Sequence, residues 1–133
     1  MYLVRFMSNE EKEAFFNGEE LVNWEPHPEY YTDSEGFCFM KVNTSNIDSE
    51  SEILSEVKRS YEYLDGIVSN ETGLVLEADV SLLTESTGRY ADPYSSNSIW
   101  VTEYCCNEYD SYDFTPHYEI TKVDDEDMQI RRI

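Results

Sequence analysis

This sequence is short of positive charge. Nine Lys and Arg stand against 29 Asp and Glu, for a formal net charge of −20 over 133 residues. So few scattered cations cannot build a stripe that tracks a phosphate backbone, which comes close to excluding direct nucleic-acid binding. Cysteine is scarce and odd in number, at Cys38, Cys105 and Cys106. A secreted disulfide framework takes an even set at spread positions, so reduced thiols in a cytosolic protein are expected. Within Gly36-Phe37-Cys38-Phe39-Met40, Cys38 reads as a small buried apolar residue. No apolar run reaches the length of a membrane span. The opening Met1-Tyr2-Leu3-Val4-Arg5-Phe6-Met7-Ser8 is too short and too soon acidic to read as a signal peptide. The expectation is a cytoplasmic protein with no membrane partner. Glycine is sparse too, five in all, and each reads as a turn or a helix stop, leaving no phosphate cradle.

What is present argues for a folded chain. Hydrophobic residues make up 40% and aromatics 14%, with eleven tyrosines, a composition that disordered segments do not have. The length suits one domain over residues 1–133 with a core of its own.

Local patterns place the elements. Residues 2–7 alternate as a strand. Ser8 with Glu11 forms a capping box, the serine accepting from the third helical N–H and the glutamate reaching back. The helix it opens runs to Asn17, with Gly18 as its stop. Residues 19–35, acidic and broken by Pro26 and Pro28, read as a loop. A mostly apolar second strand covers 36–42. Ser49 and Glu52 offer another capping box for a helix over 50–65, ended by Gly66. Its Ile53, Val57, Tyr61 and Leu64 form an amphipathic stripe. Ile67 and Val68 open a short apolar stretch, and 73–80 is a strand. Residues 84–98 read as the longest irregular segment. Residues 99–106, rich in β-branched and aromatic types, form a strand, and 117–123 form the last. The fold class expected is α+β, with a single mixed or antiparallel sheet of five or six strands and two helices.

Several chemistries find little support in the spacing. Calcium loops need acids at alternate positions, a glycine at the sixth and a glutamate at the twelfth; neither 110–113 nor 124–127 has this. Zinc wants thiolates or imidazoles in suitable pairs, whereas adjacent Cys105 and Cys106 in a strand face opposite ways, with only His27 and His117 besides. No metal and no cofactor is expected. A Cys–His dyad would need Cys105 or Cys106 near His117, and a buried cysteine with an exposed histidine is the simpler reading.

Residues 103–114 read Glu-Tyr-Cys-Cys-Asn-Glu-Tyr-Asp-Ser-Tyr-Asp-Phe. Glu103, Glu108, Asp110 and Asp113 cannot all be neutralised by nine cations distributed over the whole chain, and Tyr104, Tyr109 and Tyr112 add flat amphipathic area favoured at interfaces. Acid–tyrosine mixing recurs at 28–31 and 61–63, and Glu10, Glu11, Glu13, Glu19 and Glu20 form another dense patch. A compact chain of this length has a radius of gyration of roughly 14 Å, hence a body about 35 Å across. Duplex DNA carries about 20 charges over that length. Charge and size together match a short piece of DNA, and the partner they imply is a basic nucleic-acid-binding protein.

Two resemblances bear on function. Arg5 on the first strand, Gly36-Phe37 opening the second and Glu103 on a late strand resemble the order of mono-ADP-ribosyltransferase folds. That likeness implies an NAD-dependent enzyme in which Arg5 holds a cofactor phosphate and Glu103 stabilises a ribosyl cation. The Ser-Thr-Ser of that family is absent, and Val101 stands where its paired late-strand acid would be. The second resemblance is carried by Arg5-Phe6-Met7-Ser8, Gly36-Phe37-Cys38-Phe39, Gly66-Ile67-Val68, Tyr90-Ala91-Asp92-Pro93 and Thr102-Glu103-Tyr104-Cys105. These runs resemble small acidic proteins of phages and mobile elements of the anti-CRISPR type, which implies a non-catalytic inhibitor blocking the basic channel of a host-defence nuclease.

Overall fold

The computed structural model describes residues 1–21, 37–63, 72–91, 98–107, 110–122 and 127–133. Seven strands form one antiparallel sheet: β1 (Tyr2–Met7), β2 (Phe37–Lys41), β3 (Thr72–Glu77), β4 (Thr84–Ala91), β5 (Ser98–Cys106), β6 (Thr115–Lys122) and β7 (Met128–Arg132), in the order β4-β5-β2-β1-β3-β6-β7. Two α-helices, α1 (Asn9–Asn17) and α2 (Glu50–Tyr63), and a 3₁₀ turn at Val80–Leu82 complete the elements among the described residues. The α+β class and the pair of helices agree with the sequence pattern.

The strand count corrects it, from five or six to seven. β4 occupies most of the stretch read as irregular. As an edge strand it needs little apolar alternation, because it is held by main-chain pairing along its whole length with β5, from Thr84↔Cys105 to Ala91↔Ser98. β7 had been hidden by its two arginines; Met128 and Ile130 alternate onto the core while the rest stays exposed. Within β6, Pro116 sits beyond the part that β7 covers, next to a register shift opposite Val75 and Leu76. Proline is tolerated there because the ladder is already interrupted. Gly66, Ile67, Val68, Leu64 and the loop prolines lie outside the described residues.

Strict alternation splits the sheet into two faces. Leu3, Met7, Phe37, Phe39, Leu74 and Leu76 point to one, where Phe15 of α1 and Phe114 join them. Val4, Phe6, Val75, Tyr118 and Ile120 point to the other, where Ile53 and Val57 of α2 close over them. The helices therefore cover opposite faces, and each fully buried Leu, Ile or Phe contributes roughly 1.5–3 kcal/mol. Both halves of the α2 stripe that are described, Ile53 and Val57, are completely buried. Among the described residues no helix is long and apolar enough to cross a membrane.

Candidate functional site

The capping box at the start of α1 forms only by half. Ser8 Oγ accepts the Glu11 N–H at 3.1 Å, but the Glu11 carboxylate turns away from the helix start toward β1. There the Arg5 guanidinium donates to both its oxygens, Nε at 2.8 Å and Nη2 at 2.7 Å. Arg5 Nη1 also donates to the Cys38 carbonyl at 3.1 Å, and the guanidinium lies over the rings of Phe37 and Phe39. Fork, carboxylate and aromatic faces make a buried, bidentate ion pair.

That pair decides the geometry of the Arg5–Glu103 combination. Arg5 points to the α1 face with Phe37 and Phe39. Glu103 alternates with Tyr104 and Cys106, which pack on the α1-face core, so Glu103 points to the α2 face. The sheet lies between the two side chains, with β2 separating their strands. A Cys–His dyad is likewise not assembled. His117 Nε2 is 3.0 Å from Glu77 Oε1, and β2, β1 and β3 stand between β6 and the cysteines of β5.

The sequence-derived partner-binding residues are divided by the end of β5. Glu103 is buried, 6% exposed, and Tyr104 is half-buried against the α1-face core, so Glu103 cannot meet a surface partner. Glu108 and Tyr109 lie outside the described residues. Asp110, Tyr112 and Asp113 are all exposed, and they form a tight turn. Asp110 Oδ1 accepts the Tyr112 N–H at 2.9 Å, and the Asp110 carbonyl accepts the Asp113 N–H at 3.0 Å. Such an Asx turn pins the backbone and leaves the next side chains pointing out. Tyr112 is 88% exposed, while Phe114 two residues on is buried and stacks on Phe39 at 5.2 Å. One aromatic anchors the turn and the other is presented.

Beside this turn α1 ends. Gly18 adopts φ 66°, and its N–H and that of Glu19 close onto the carbonyls of Phe15 and Ala14 at 3.3 and 2.9 Å, a Schellman-type stop that needs the left-handed region. A Cβ built on Gly18 would stand 3.9 Å from the Tyr112 hydroxyl. The Tyr112 side chain therefore reaches past the helix terminus, from which exposed Glu19 and Glu20 follow. The last turn of α1 carries no basic residue, so its carbonyl end adds negative potential of its own. Phe16, 45% exposed on that turn, adds apolar area.

Several of the described cations are engaged elsewhere. Lys12 Nζ reaches Glu119 at 2.8 Å and the Thr72 hydroxyl at 3.0 Å, and Arg131 binds the same carboxylate. The hydrogen bond from Lys12, joined by that from Arg131, holds Glu119 below the usual carboxylate range. Arg132 pairs with Asp48 and Arg59 with Glu56. Glu52, expected to close a second capping box, instead accepts from the Thr44 hydroxyl at 2.8 Å and the Ser45 N–H at 3.0 Å, which lowers its pKa.

One cluster had no signal in the sequence. Cys38 and Cys105 are Cα partners across β2 and β5, their sulfurs 2.7 Å apart. With a Glu103 carboxylate oxygen, their ligand atoms all lie within 4.8 Å of one another. The contact with the Cys105 thiol, then burial, then the Glu103 carboxylate push the Cys38 thiol up, against a smaller opposing effect of Arg5. Cys106, on the other face, is pushed up to about 11 by burial.

No protein-family model matches this chain, and neither a curated protein nor a solved structure does. The chain is an α+β protein whose antiparallel sheet is sandwiched between two helices, and its function is read from its own residues.

Proposed function

We propose that this protein is a non-catalytic, cytoplasmic inhibitor that mimics nucleic acid and occupies the basic DNA- or RNA-binding groove of a partner. The partner we favour is a host-defence nuclease of the RNA-guided, CRISPR type, which makes the chain an anti-CRISPR-like protein of a phage or mobile element. The observation that carries the reading is the exposed Tyr112 between Asp110 and Asp113, its hydroxyl near the helix end that leads into Glu19 and Glu20. Anions there flank a rigid aromatic, as phosphates flank a base, and an arginine-lined groove supplies complementary charge and cation–π contacts. The ADP-ribosyltransferase reading has less support, because Arg5 is taken up by Glu11 and lies across the sheet from Glu103.

Competition between this protein and duplex DNA for such a nuclease, measured across a salt series, tests the reading. Binding is expected to weaken steeply with salt. Joint reversal of Glu19, Glu20 and Asp113 to lysine is expected to weaken it by at least about tenfold. Asp110→Asn is the gentler probe, because its side-chain oxygen can still accept the Tyr112 N–H. Inhibition indifferent to both salt and charge reversal rejects the proposal.

A further inference from the structure

Glu103 and Cys105 stand two residues apart on β5, and Cys38 stands directly across from Cys105 on β2. Alternation sends all three to the α2 face, and Glu103 and Cys105 are buried there. Two sulfurs and a carboxylate oxygen, all mutually within 4.8 Å, thus converge from a pair of hydrogen-bonded strands. Such a frame is more rigid than a loop, and its ligand set is specific. Calcium and magnesium take oxygen only, whereas two thiolates with one carboxylate suit a borderline-soft cation. Zinc binds sulfur at about 2.3 Å, so tetrahedral geometry sets two sulfurs roughly 3.8 Å apart. The present 2.7 Å separation has to open by about 1 Å to reach that value.

We propose that Cys38, Glu103 and Cys105 form a binding site for a divalent cation of the zinc class, its fourth position taken by water or a further ligand. Binding converts both thiols to thiolates and releases their two protons to solvent, leaving a centre of two thiolates, one carboxylate and one dication. The site also has a mechanical role. Among the described residues β5 joins β2 through three registered pairs, Phe37↔Cys106, Cys38↔Cys105 and Phe39↔Tyr104. It is paired with β4 all along that strand. A cation shared by Cys38 and Cys105 clips the β4–β5 hairpin to the rest of the sheet.

The test is titration of the full chain with zinc and with cobalt(II), under a phosphine reductant and excess magnesium to occupy surface carboxylates. One equivalent is expected to bind. Cobalt is expected to show sulfur-to-metal charge-transfer absorption and the strong visible bands of a tetrahedral centre. Cys38→Ser and Cys105→Ser should each weaken that absorption, and Glu103→Gln should lower zinc affinity by at least about tenfold. Cys106→Ser, its side chain on the opposite face, should change nothing. Failure of the reduced wild-type chain to take up zinc overturns the proposal, including the case in which the pair closes to a disulfide in air. Uptake equal in wild type and both serine variants overturns it as well, since the metal is then on the acidic exterior. The wild-type titration decides alone where a variant does not fold.

Discussion

On the α1 face Arg5 meets Glu11, a cation held against an anion by a two-bond fork. On the α2 face Glu103 meets two thiols, and none of those three groups is cationic. Both sets pack against one sheet, with Arg5, Glu11, Glu103 and Cys105 buried and Cys38 half-buried, yet they differ in how far apart the chain supplies their members. Arg5 and Glu11 are six residues apart, so a strand, a cap and one helical turn suffice to bring them together. Cys38 and Cys105 are 67 residues apart and meet only when β5 docks. A buried charge supplied with its partner by the same local segment is neutral from the moment that segment forms. A site assembled from distant strands depends on the whole sheet.

Breaking the first set gives the largest effect. Glu11→Ala leaves the Arg5 charge buried, and a loss of about 3–5 kcal/mol is expected from urea unfolding. Replacing both residues by apolar ones of similar volume should restore most of it. A loss no larger than that of a surface substitution means the pair is not a core element.

Gly73→Ala strikes the sheet beneath the α2 face. A Cβ there meets the Arg5 carbonyl oxygen at 2.8 Å, Phe6 at 3.2 Å and Ile120 at 3.3 Å. Backbone cannot yield as a side chain does, and overpacking should cost about 1–3 kcal/mol by the same measurement.

Tyr118→Phe removes the hydroxyl that ties the α2 face, with its 2.7 Å bond to the Ile47 carbonyl and the longer 3.4 Å bond it accepts from Arg132 Nη1. About 1 kcal/mol is expected, well below the ionic pair of the other face. An equal cost would erase the distinction.

The smallest effect depends on pH. Glu119 is held below its ordinary value of 4.5 by Lys12 and Arg131. A carboxylate lowered in the folded state contributes stability that is present above its unfolded pKa and lost as pH falls through the folded one. The urea-midpoint advantage of wild type over Glu119→Gln should therefore be full near neutrality, begin to shrink at about pH 4.5 and vanish in stronger acid. A constant difference across that range refutes the assignment.

Much of the fold was legible because its signals are local. The Ser8 cap, the Gly18 stop and the Ile53–Val57 spacing each report on a few neighbouring residues, and the structure has all of them. β4 was not legible, since an edge strand draws on a partner's backbone and not on its own apolar alternation. The candidate interface was legible by half. Asp110, Tyr112 and Asp113 form an exposed turn, but Glu103 has the same composition around it and is buried. Charge on a strand does not reveal which face it takes until the pairing is known. The Cys38–Cys105 register was invisible for the same reason.

The position of β1 in the middle of the sheet has a consequence for synthesis. Leu3-Val4-Arg5-Phe6-Met7 leaves the ribosome well before β3, which completes one of its two edges. An apolar segment left open that long invites pairing with other nascent copies, and a charge set within it is the usual safeguard. Arg5 sits in the middle of that run, so the unfinished strand carries a charge until Glu11 on α1 takes it up.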